Sequence, residues 1–336
     1  MTILIPDAAF DDDHALERAA AAPYPVRVRR ANRAGDIPAE DWQSAEAVIA
    51  YHRMRYDADL CAALRSCRIL VRAGVGCDNV DLAAFAARGI PVCNVPDYGV
   101  AEVADHTIAL ILALARGVVA FHGLVAADPV RGWDWRHWPP PVRRLAGQRL
   151  LIVGFGRIGR AVARRAMAFD LDVGFHDPLA PPDADAGIRR HDDLDAALGG
   201  SDIISLHATL SEATRALIDR GRLARMKQGA ILINTARGGL VDLDALADAL
   251  REGRIAAAGL DVLPDEPPDP AHPLFTALRA GAPWLAGRLV VTPHAGFLSS
   301  NAIADMRRKA IETAIDFLRD GRLRHCVNRP AAATGR

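Results

Sequence analysis

The sequence lacks a net charge, a long apolar run and any excess of acidic or basic residues that would recruit a charged macromolecule. Basic and acidic residues both number 41, so no overall field attracts a nucleic acid or an anionic membrane. The most apolar stretch, residues 107–115, is far shorter than the ~20 residues that a bilayer requires. We therefore expect a small-molecule partner, with no nucleic acid and no membrane.

Cysteine usage and the first residues bear on the compartment. The five cysteines form no C-x-x-C pair and no Cys/His spacing suited to a metal. Their odd number is typical of free thiols in a reducing environment. Residues 1–6 lack a basic region followed by a long apolar one, so we expect a first strand and not a signal peptide. These features predict a cytoplasmic protein that holds no metal.

Short apolar runs alternate with amphipathic segments along all 336 residues, a pattern typical of βα units and parallel sheets. The length suggests about two domains. A first series of strands is predicted at residues 3–5, 26–28, 47–51, 69–72 and 92–95. A second is predicted at residues 150–153, 173–176, 203–206, 231–234, 257–260 and 289–291. The fold class predicted is α/β, with two Rossmann-like doubly wound parallel-sheet domains separated by a cleft.

The segments outside the strands are also informative. Residues 100–121 are helical and apolar, and they precede a tryptophan-rich stretch and three prolines at 139–141. We expect an interdomain helix and a rigid loop there. A final helix is predicted over residues 301–320, and its apolar positions allow packing on either domain.

A glycine pattern lies between a predicted strand and a predicted helix. Gly154, Gly156 and Gly159, with Arg157 and Ile158 between the last two, form G-x-G-x-x-G directly after the strand at 150–153. In this context Gly154 permits a tight turn, Gly156 allows backbone to approach a pyrophosphate, and Gly159 allows close helix packing. The pattern predicts a dinucleotide cofactor.

Asp177 comes eighteen residues after Gly159, at the end of the next predicted strand. A carboxylate there can accept hydrogen bonds from the adenosine ribose hydroxyls, and it would repel a 2′-phosphate. Residues 178–182 supply no arginine or serine that would favour NADP. The sequence therefore predicts NAD.

Three later segments each place a polar residue just after a strand, at the edge where doubly wound sheets bind ligands. They contribute Arg237, Glu266 and His294. A 2-keto acid needs a cation for its carboxylate and a proton donor for the oxygen that gains charge. Arg237 supplies the cation, His294 acts as acid or base, and Glu266 holds the histidine. With the dinucleotide motif, this set predicts hydride transfer at the 2-position of a small 2-keto or 2-hydroxy acid.

These residues resemble the D-isomer-specific 2-hydroxyacid dehydrogenase family, in particular its branch similar to the C-terminal-binding-protein corepressors. The resemblance runs from Tyr51 to Asn328. Its most specific segments are residues 71–79, 154–159, 234–242, 261–267 and 293–294.

The resemblance implies a discontinuous substrate-binding domain, residues 1–97 plus 299–336, and an inserted NAD-binding domain, residues 98–298. It implies that Arg237, Glu266 and His294 are catalytic. It also implies a homodimer joined through the NAD-binding domains. The cofactor contacts implied are Val75, Thr107, Gly154, Gly156, Arg157, Ile158, Gly159, Asp177, His207, Ala208, Thr209, Thr214, Thr235, Ala236, Arg237, Asp261, His294 and Gly296.

Substrate contacts follow from the same resemblance. Those implied are Tyr51, His52, Arg72, Ala73, Gly74, Val75, Arg237, His294 and Phe297. Met54 and Arg55 are expected nearby. This mixture leaves glyoxylate, hydroxypyruvate, pyruvate, an aromatic keto acid and a phosphonate analogue open. The cluster Trp133/Trp135/Trp138 is expected either to pack at the dimer interface or to reach the partner's cleft.

Alternative functions remain open. One is an NAD(H)-sensing, corepressor-like binding protein with incidental turnover, although no basic arm indicates a chromatin partner. Another is a dehydrogenase of the same fold that acts on phosphoglycerate, formate or phosphite. An initial-rate screen of 2-keto acids with NADH separates a sensor from an enzyme.

Overall fold

The computed structural model describes residues 1–137, 142–181 and 187–328. Contacts within the chain divide it into two units. Unit 1 comprises Met1–Gly99 and Leu298–Arg336, and unit 2 comprises Val100–Phe297. Each unit is built on an all-parallel sheet with helices, so the predicted fold class of two parallel-sheet α/β domains is confirmed.

Unit 1 is built on a five-stranded sheet. Its strands are β1 Ile3–Ile5, β2 Val26–Val28, β3 Ala47–Ala50, β4 Ile69–Arg72 and β5 Val92–Asn94, in the order β2-β1-β3-β4-β5. Its helices are α1 Ala15–Ala21, α2 Ala39–Ser44, α3 Ala58–Ala63, α4 Leu82–Ala87 and, at the end of the described chain, α12 Ser300–Asp320. All residues of β1, β3 and β5 are buried, as expected for parallel strands with helices on both faces.

Unit 2 is built on a seven-stranded sheet. Its strands are β6 Arg149–Val153, β7 Asp172–His176, β8 Arg189–Arg190, β9 Ile203–Leu206, β10 Ile231–Asn234, β11 Ala257–Leu260 and β12 Leu289–Val291. Their order is β12-β11-β10-β9-β6-β7-β8, the doubly wound arrangement in which strand order reverses between β6 and β9. The edge strand β8 is absent from the sequence prediction because two residues show no periodicity.

The helices of unit 2 cover both faces of this sheet. They are α5 Val100–Ala115, α6 Val118–Ala127, α7 Arg157–Met167, α8 Leu194–Gly200, α9 Arg220–Arg225, α10 Leu243–Arg251 and α11 Pro273–Arg279. Alternate strand residues enter two separate apolar clusters. Leu151 and Val153 belong to one, and Leu150 and Ile152 belong to the other. The sheet is therefore buried on both faces.

The predicted helix over residues 100–121 is in fact two helices, α5 and α6. Gly117 adopts φ +65 between them, a conformation that glycine takes without strain, and the helix axes are bent by 59°. Within the described ranges, no single helix is long and apolar enough to cross a membrane. Among the residues described, this bent pair, counted together, meets the criteria of length and composition.

The final helix α12 packs on unit 1, which resolves the alternative that the sequence left open. It contacts β3, β4 and α1. Its buried apolar residues recur at helical spacing and join the core of that unit: Met306, Ala310, Ile311, Ala314 and Leu318. The end of the described chain continues along β5, where the Asn328 side chain accepts a hydrogen bond from the Val92 amide at 2.8 Å.

Candidate active site

Five parallel strands of unit 2 end in one row. The ladder pairs Val153 with Leu206, Leu206 with Asn234, Asn234 with Leu260 and Leu260 with Val291. The segments that follow these residues therefore begin at a common edge of the sheet. This is the edge, next to the reversal of strand order, where doubly wound folds bind ligands.

The glycine loop follows β6 at this edge. Gly154 has φ +93, and a Cβ added to it would lie 2.4 Å from the Ala208 amide nitrogen. A Cβ on Gly159 would lie 2.3 Å from the Gly154 carbonyl oxygen. Any side chain at either position would thus collide with backbone, whereas the position of a Cβ on Gly156 is open. The loop packs tightly on the protein side and leaves space at Gly156.

These features fit a dinucleotide pyrophosphate. Gly156 caps α7, so the first amide groups of that eleven-residue helix lack an intrahelical partner. The positive end of the helix favours an anion, and a bare glycine lets the anion approach the backbone. Gly156, Arg157 and Ile158 are the residues of this loop that would hold the phosphates.

Asp177 lies just after β7, beside the glycine loop. One carboxylate oxygen accepts a hydrogen bond from the Phe155 amide at 2.8 Å, and the other accepts one from the Leu179 amide at 2.9 Å. Sequence reasoning missed a cation nearby. Arg190 on β8 donates to the Ala180 carbonyl at 3.0 Å and pairs with Asp192 at 3.3 Å. Only the pairing of β8 with β7 brings this arginine to the loop.

The segment after β9 lies against the glycine loop. The His207 amide donates to the Val153 carbonyl at 2.7 Å, and its ring Nε2 lies 2.8 Å from the Ser205 hydroxyl. The ring Nδ1 is buried and has no hydrogen-bond partner among the described residues. Burial lowers the pKa of His207 to about 3. The ring is therefore neutral at neutral pH.

The next two residues of the predicted cofactor contacts, Ala208 and Thr209, continue this segment. The Thr214 hydroxyl donates to the Thr209 carbonyl at 2.7 Å and accepts from the Ser211 amide at 2.8 Å. Thr214 thus closes residues 209–214 into a compact loop. Its hydroxyl stabilises the loop itself, and a contact to cofactor from this side chain stays a prediction.

Arg237 lies in the loop after β10. Asn234 shapes this loop, since its side chain accepts from the Ala236 amide at 3.1 Å and donates to the Arg237 carbonyl at 2.9 Å. A Cβ on Gly238 would lie 1.8 Å from the Leu263 carbonyl carbon. The loop that carries Arg237 therefore packs directly on the loop that leads to Glu266. Asn234 is a shaping residue that the sequence analysis missed.

His294 and Glu266 meet at this edge. His294 Nδ1 lies 2.6 Å from Glu266 Oε2, and Glu266 Oε1 accepts from the Leu263 amide at 2.9 Å. Burial raises the pKa of Glu266, but hydrogen bonds from His294 and Leu263 and the charge of Arg237 outweigh it and lower the pKa. The carboxylate is therefore ionised at neutral pH. The pKa of Glu266 thus responds to both His294 and Arg237, the two residues predicted to act with it.

Other predicted cofactor residues contact each other. The Thr107 hydroxyl on α5 lies 2.8 Å from the Thr235 hydroxyl, and both residues are buried. Asp261 is buried, and its carboxylate accepts from the Thr292 hydroxyl at 2.6 Å and from the Ala295 and Gly296 amides at 2.9 Å. Asp261 thus binds the loop that carries His294.

The predicted substrate residues lie in both units, and each unit is described by itself. In unit 1, Arg72 ends β4 and its guanidinium lies over Gly74, where a Cβ would be 1.6 Å from Nη1. Asn94 donates to the Val75 carbonyl at 2.6 Å, which holds the loop after β4. In unit 2, the Phe297 ring lies 6.4 Å from the His294 ring.

The remaining substrate predictions differ in exposure. Tyr51 is only 2% exposed, and its ring packs edge-on against Phe10 at 5.9 Å. Ala73 and Met54 are also buried, whereas His52 and Arg55 are exposed. A direct substrate contact from Tyr51 stays a prediction, and the side chain is part of the core of unit 1.

Two further expectations concern the surface and metal binding. Trp133 and Trp135 are each 74% exposed, and Trp138 lies outside the described residues. Within the residues that the structure covers, no group of three or more His, Cys, Asp or Glu side chains could hold a metal ion.

A family model matches most of unit 2. Residues 108–296 match the D-isomer specific 2-hydroxyacid dehydrogenase, NAD binding domain. The chain belongs to the D-isomer specific 2-hydroxyacid dehydrogenase family. The predicted family is therefore confirmed.

Known proteins resemble the chain beyond this domain. A D-3-phosphoglycerate dehydrogenase from Archaeoglobus fulgidus is 33% identical over 85% of this chain and 52% of its own length. The chain spans about half the length of the curated relatives it matches.

Solved structures match along nearly their full length. The D-lactate dehydrogenase from Aquifex aeolicus, complexed with NAD and lactic acid, is 26% identical, with a TM-score of 0.81 and coverage of 94% of this chain and 95% of that chain. The NADPH-dependent glyoxylate/hydroxypyruvate reductase from Sinorhizobium meliloti, complexed with NADP and malonate, is 27% identical. Its TM-score is 0.84, with coverage of 98% of this chain and 97% of that chain.

The half-buried His207, whose ring Nδ1 is enclosed, makes stability depend on pH. The unfolded chain protonates this ring below about pH 6.5, whereas the folded chain does so only near pH 3. Stability from this residue is complete above about pH 6.5 and is lost as the pH falls toward 3. Replacing His207 with Gln removes the effect, so between about pH 7.5 and about pH 5 the variant should lose about 2 kcal/mol less unfolding free energy than wild type. Urea denaturation at both pH values measures this difference, and equal losses would contradict a neutral buried ring.

Proposed function

We propose that the chain is an NAD-dependent enzyme that transfers a hydride between NAD(H) and the C2 of a small 2-keto or 2-hydroxy acid, with D-isomer specificity. The contact of 2.6 Å between His294 Nδ1 and Glu266 Oε2, beside Arg237 and on the same sheet edge as the glycine loop, carries the proposal. The names of the relatives and solved structures support it, since they include dehydrogenases and reductases of small hydroxy and keto acids.

Each side chain has a separate task in this proposal. Arg237 binds the substrate carboxylate with its planar guanidinium and polarises the carbonyl. Glu266 accepts the Nδ1 hydrogen of His294, which leaves Nε2 to face the substrate oxygen. NAD(H) supplies or accepts the hydride when bound.

The two directions of the reaction use different protonation states of His294. In reduction, a protonated Nε2 gives its proton to the oxygen at C2, and the ring ends neutral. In oxidation, a neutral Nε2 takes the hydroxyl proton, and the ionised Glu266 stabilises the positive ring. Reduction therefore needs the more acidic form of the site and oxidation the more basic form.

Replacing His294 with Ala should lower kcat by about 10²- to 10⁴-fold, because general acid–base catalysis is lost, and should leave NADH binding nearly unchanged. Initial rates with glyoxylate, hydroxypyruvate, pyruvate and phenylpyruvate measure kcat, and NADH fluorescence measures the Kd.

A matched control is His272→Ala, which removes a histidine that caps α11 in the same unit. Its kcat should stay close to that of wild type. Negligible turnover of the wild-type protein on all four acids would instead favour the NAD(H)-sensing alternative. Loss of NADH binding together with turnover in His294→Ala would indicate a structural histidine.

We also infer that NAD is preferred over NADP. Asp177 holds a negative charge beside the glycine loop, where a ribose 2′-phosphate would be repelled. The neighbouring Arg190 is paired with Asp192, so its charge is partly balanced. The two solved structures show that proteins of this fold use either cofactor, since one is complexed with NAD and the other with NADP.

Replacing Asp177 with Ser should narrow the ratio of kcat/KM for NADH over NADPH by about tenfold or more, since one bidentate hydrogen-bonded contact is lost. Asp177→Asn removes the charge and keeps an acceptor for the Phe155 amide. Its effect on the ratio therefore reports the loss of charge without the loss of this hydrogen bond. Glu252→Gln, which removes an exposed carboxylate at the end of α10, should leave the ratio unchanged. A wild-type preference for NADPH would overturn the inference.

We further propose a homodimer joined through unit 2. None of the residues of α6 is buried in the single chain, although the helix is mostly apolar, and Val118 and Val119 are 59% and 52% exposed. Trp133 and Trp135 lie shortly after it and are also exposed. An apolar surface of this kind favours burial against a second copy of the chain.

Sedimentation equilibrium should give twice the chain mass of 36.0 kDa. Replacing Val119 with Arg should shift the protein toward the monomer, because a charge cannot be buried there without a partner. Met167→Arg, at an exposed apolar residue of α7, should leave the mass unchanged. A monomeric wild-type protein would contradict the proposal.

The location of the protein is a further proposal. All five cysteines are free thiols, which supports a reducing, cytoplasmic location that fractionation of the source cells would test.

Phosphoglycerate is a second candidate substrate because the curated relatives carry that name. It belongs in the same initial-rate screen, measured in the direction of oxidation.

A further inference from the structure

A polar side chain on α5 reaches the loop that carries His294. His106 Nε2 lies 2.9 Å from the Thr292 hydroxyl oxygen and 3.4 Å from Asp261 Oδ1. The Thr292 hydroxyl lies 2.6 Å from the same Asp261 oxygen. All three residues belong to unit 2.

The chemistry of these groups sets the direction of each hydrogen bond. Asp261 has a lowered pKa: burial raises it, but hydrogen bonds from His106, Thr292, Gly296 and Ala295 outweigh burial. Its carboxylate is thus ionised and only accepts, so the Thr292 hydroxyl donates to it. The remaining lone pair of the Thr292 oxygen then accepts from His106 Nε2–H at 2.9 Å, a hydrogen that it shares with the more distant Asp261 Oδ1 at 3.4 Å.

The loop at the end of this chain of hydrogen bonds has an unusual backbone. His294 has φ +52, a left-handed conformation that is uncommon and strained for residues other than glycine. Its amide donates to the Asp261 carbonyl at 2.8 Å, and the next two amides donate to the Asp261 carboxylate. Asp261 therefore holds the conformation that directs the His294 ring toward Glu266.

The packing around Asp261 leaves it little freedom. A Cβ on Gly296 would lie 2.8 Å from Asp261 Oδ2 and 3.4 Å from the Cδ2 of His106. His106 and the loop thus enclose the carboxylate from two sides. Loss of the hydrogen bond between His106 and Thr292 would therefore allow the Asp261 carboxylate to move, and the His294 backbone would move with it.

We propose that His106 and Thr292 are positioning residues for His294: their hydrogen bond orients the Asp261 carboxylate, which fixes the left-handed loop and so the His294–Glu266 contact. The proposal rests on the proposed function, because it assigns the acid–base role to His294. It adds a task to two side chains that lie outside the predicted site.

The test compares two substitutions at one position. Thr292→Val has the same shape but no hydroxyl, whereas Thr292→Ser keeps the hydroxyl. We expect kcat to fall about tenfold to a hundredfold in Thr292→Val, the range found for hydrogen bonds that orient metal-binding histidines. We expect Thr292→Ser to restore most of it, with KM for the keto acid and Kd for NADH changed less than kcat in both variants.

The coupling between the two residues is tested separately. His106→Leu should lower kcat to a similar extent, and the double variant His106→Leu/Thr292→Val should be little worse than either single variant. Ser201→Ala is the matched control, because it removes another buried hydroxyl of unit 2, one that donates to the Ala197 carbonyl at 2.7 Å. Its kcat should match wild type.

A measurement without substrate or cofactor separates this proposal from the proposed function. The ring Cε1 resonance of His294, assigned by its absence in His294→Ala, should shift in Thr292→Val and stay near its wild-type position in Thr292→Ser. If wild type has no turnover but this shift occurs, the proposed function fails and the positioning of the ring stands. Equal kcat and equal shifts in the Val and Ser variants, or fully additive effects with His106→Leu, would overturn the positioning role.

Discussion

The parallel register of the sheet in unit 2 is the constraint on which the rest of the site depends. Because β6, β9, β10, β11 and β12 stop in one row, five loops that are distant in sequence start side by side. A slip of one residue in any strand would turn its side chains to the opposite face and displace the loop after it. Strand ends buried on both faces resist such a slip, since it would expose apolar side chains.

Close backbone contacts fix the positions of these loops relative to one another. The glycine loop touches the segment after β9, and Gly238 brings the Arg237 loop against the loop that leads to Glu266. Neither contact tolerates a Cβ. The glycines at this edge therefore have two roles. Gly154, Gly159 and Gly238 let backbone segments pack closely, whereas Gly156 leaves space for a ligand.

Ionised groups at the edge are balanced by local hydrogen bonds. Asp261 accepts hydrogen bonds from a hydroxyl and two amides, and Glu266 accepts them from an imidazole and an amide. Burial disfavours both carboxylates, and these donors keep them charged. A charged, well-held carboxylate next to a histidine suits proton transfer, whereas a neutral one would not hold the ring.

Much of the fold and of the site follows from local patterns. Strands such as Ile203–Leu206 and Ile231–Asn234 have the predicted bounds because a short apolar run followed by polar residues marks the ends of a buried strand. Arg237, Glu266 and His294 were predicted to be catalytic because each comes soon after such a run, and the structure places the last two in contact at 2.6 Å. The break at Gly117 and the two-residue strand β8 were not predicted, since one glycine in an apolar helix and two arginines carry little periodic signal.

The amino-acid sequence by itself therefore determined the class of fold, the dinucleotide motif and the identity of the residues that meet at the sheet edge. Only the tertiary structure decided that α12 packs on unit 1, that Arg190 approaches the loop after Asp177, and that His106 reaches Thr292. The physical reason is that periodicity reports which face of an element is buried, while pairing across 186 positions of the chain, as between His106 and Thr292, depends on how elements pack.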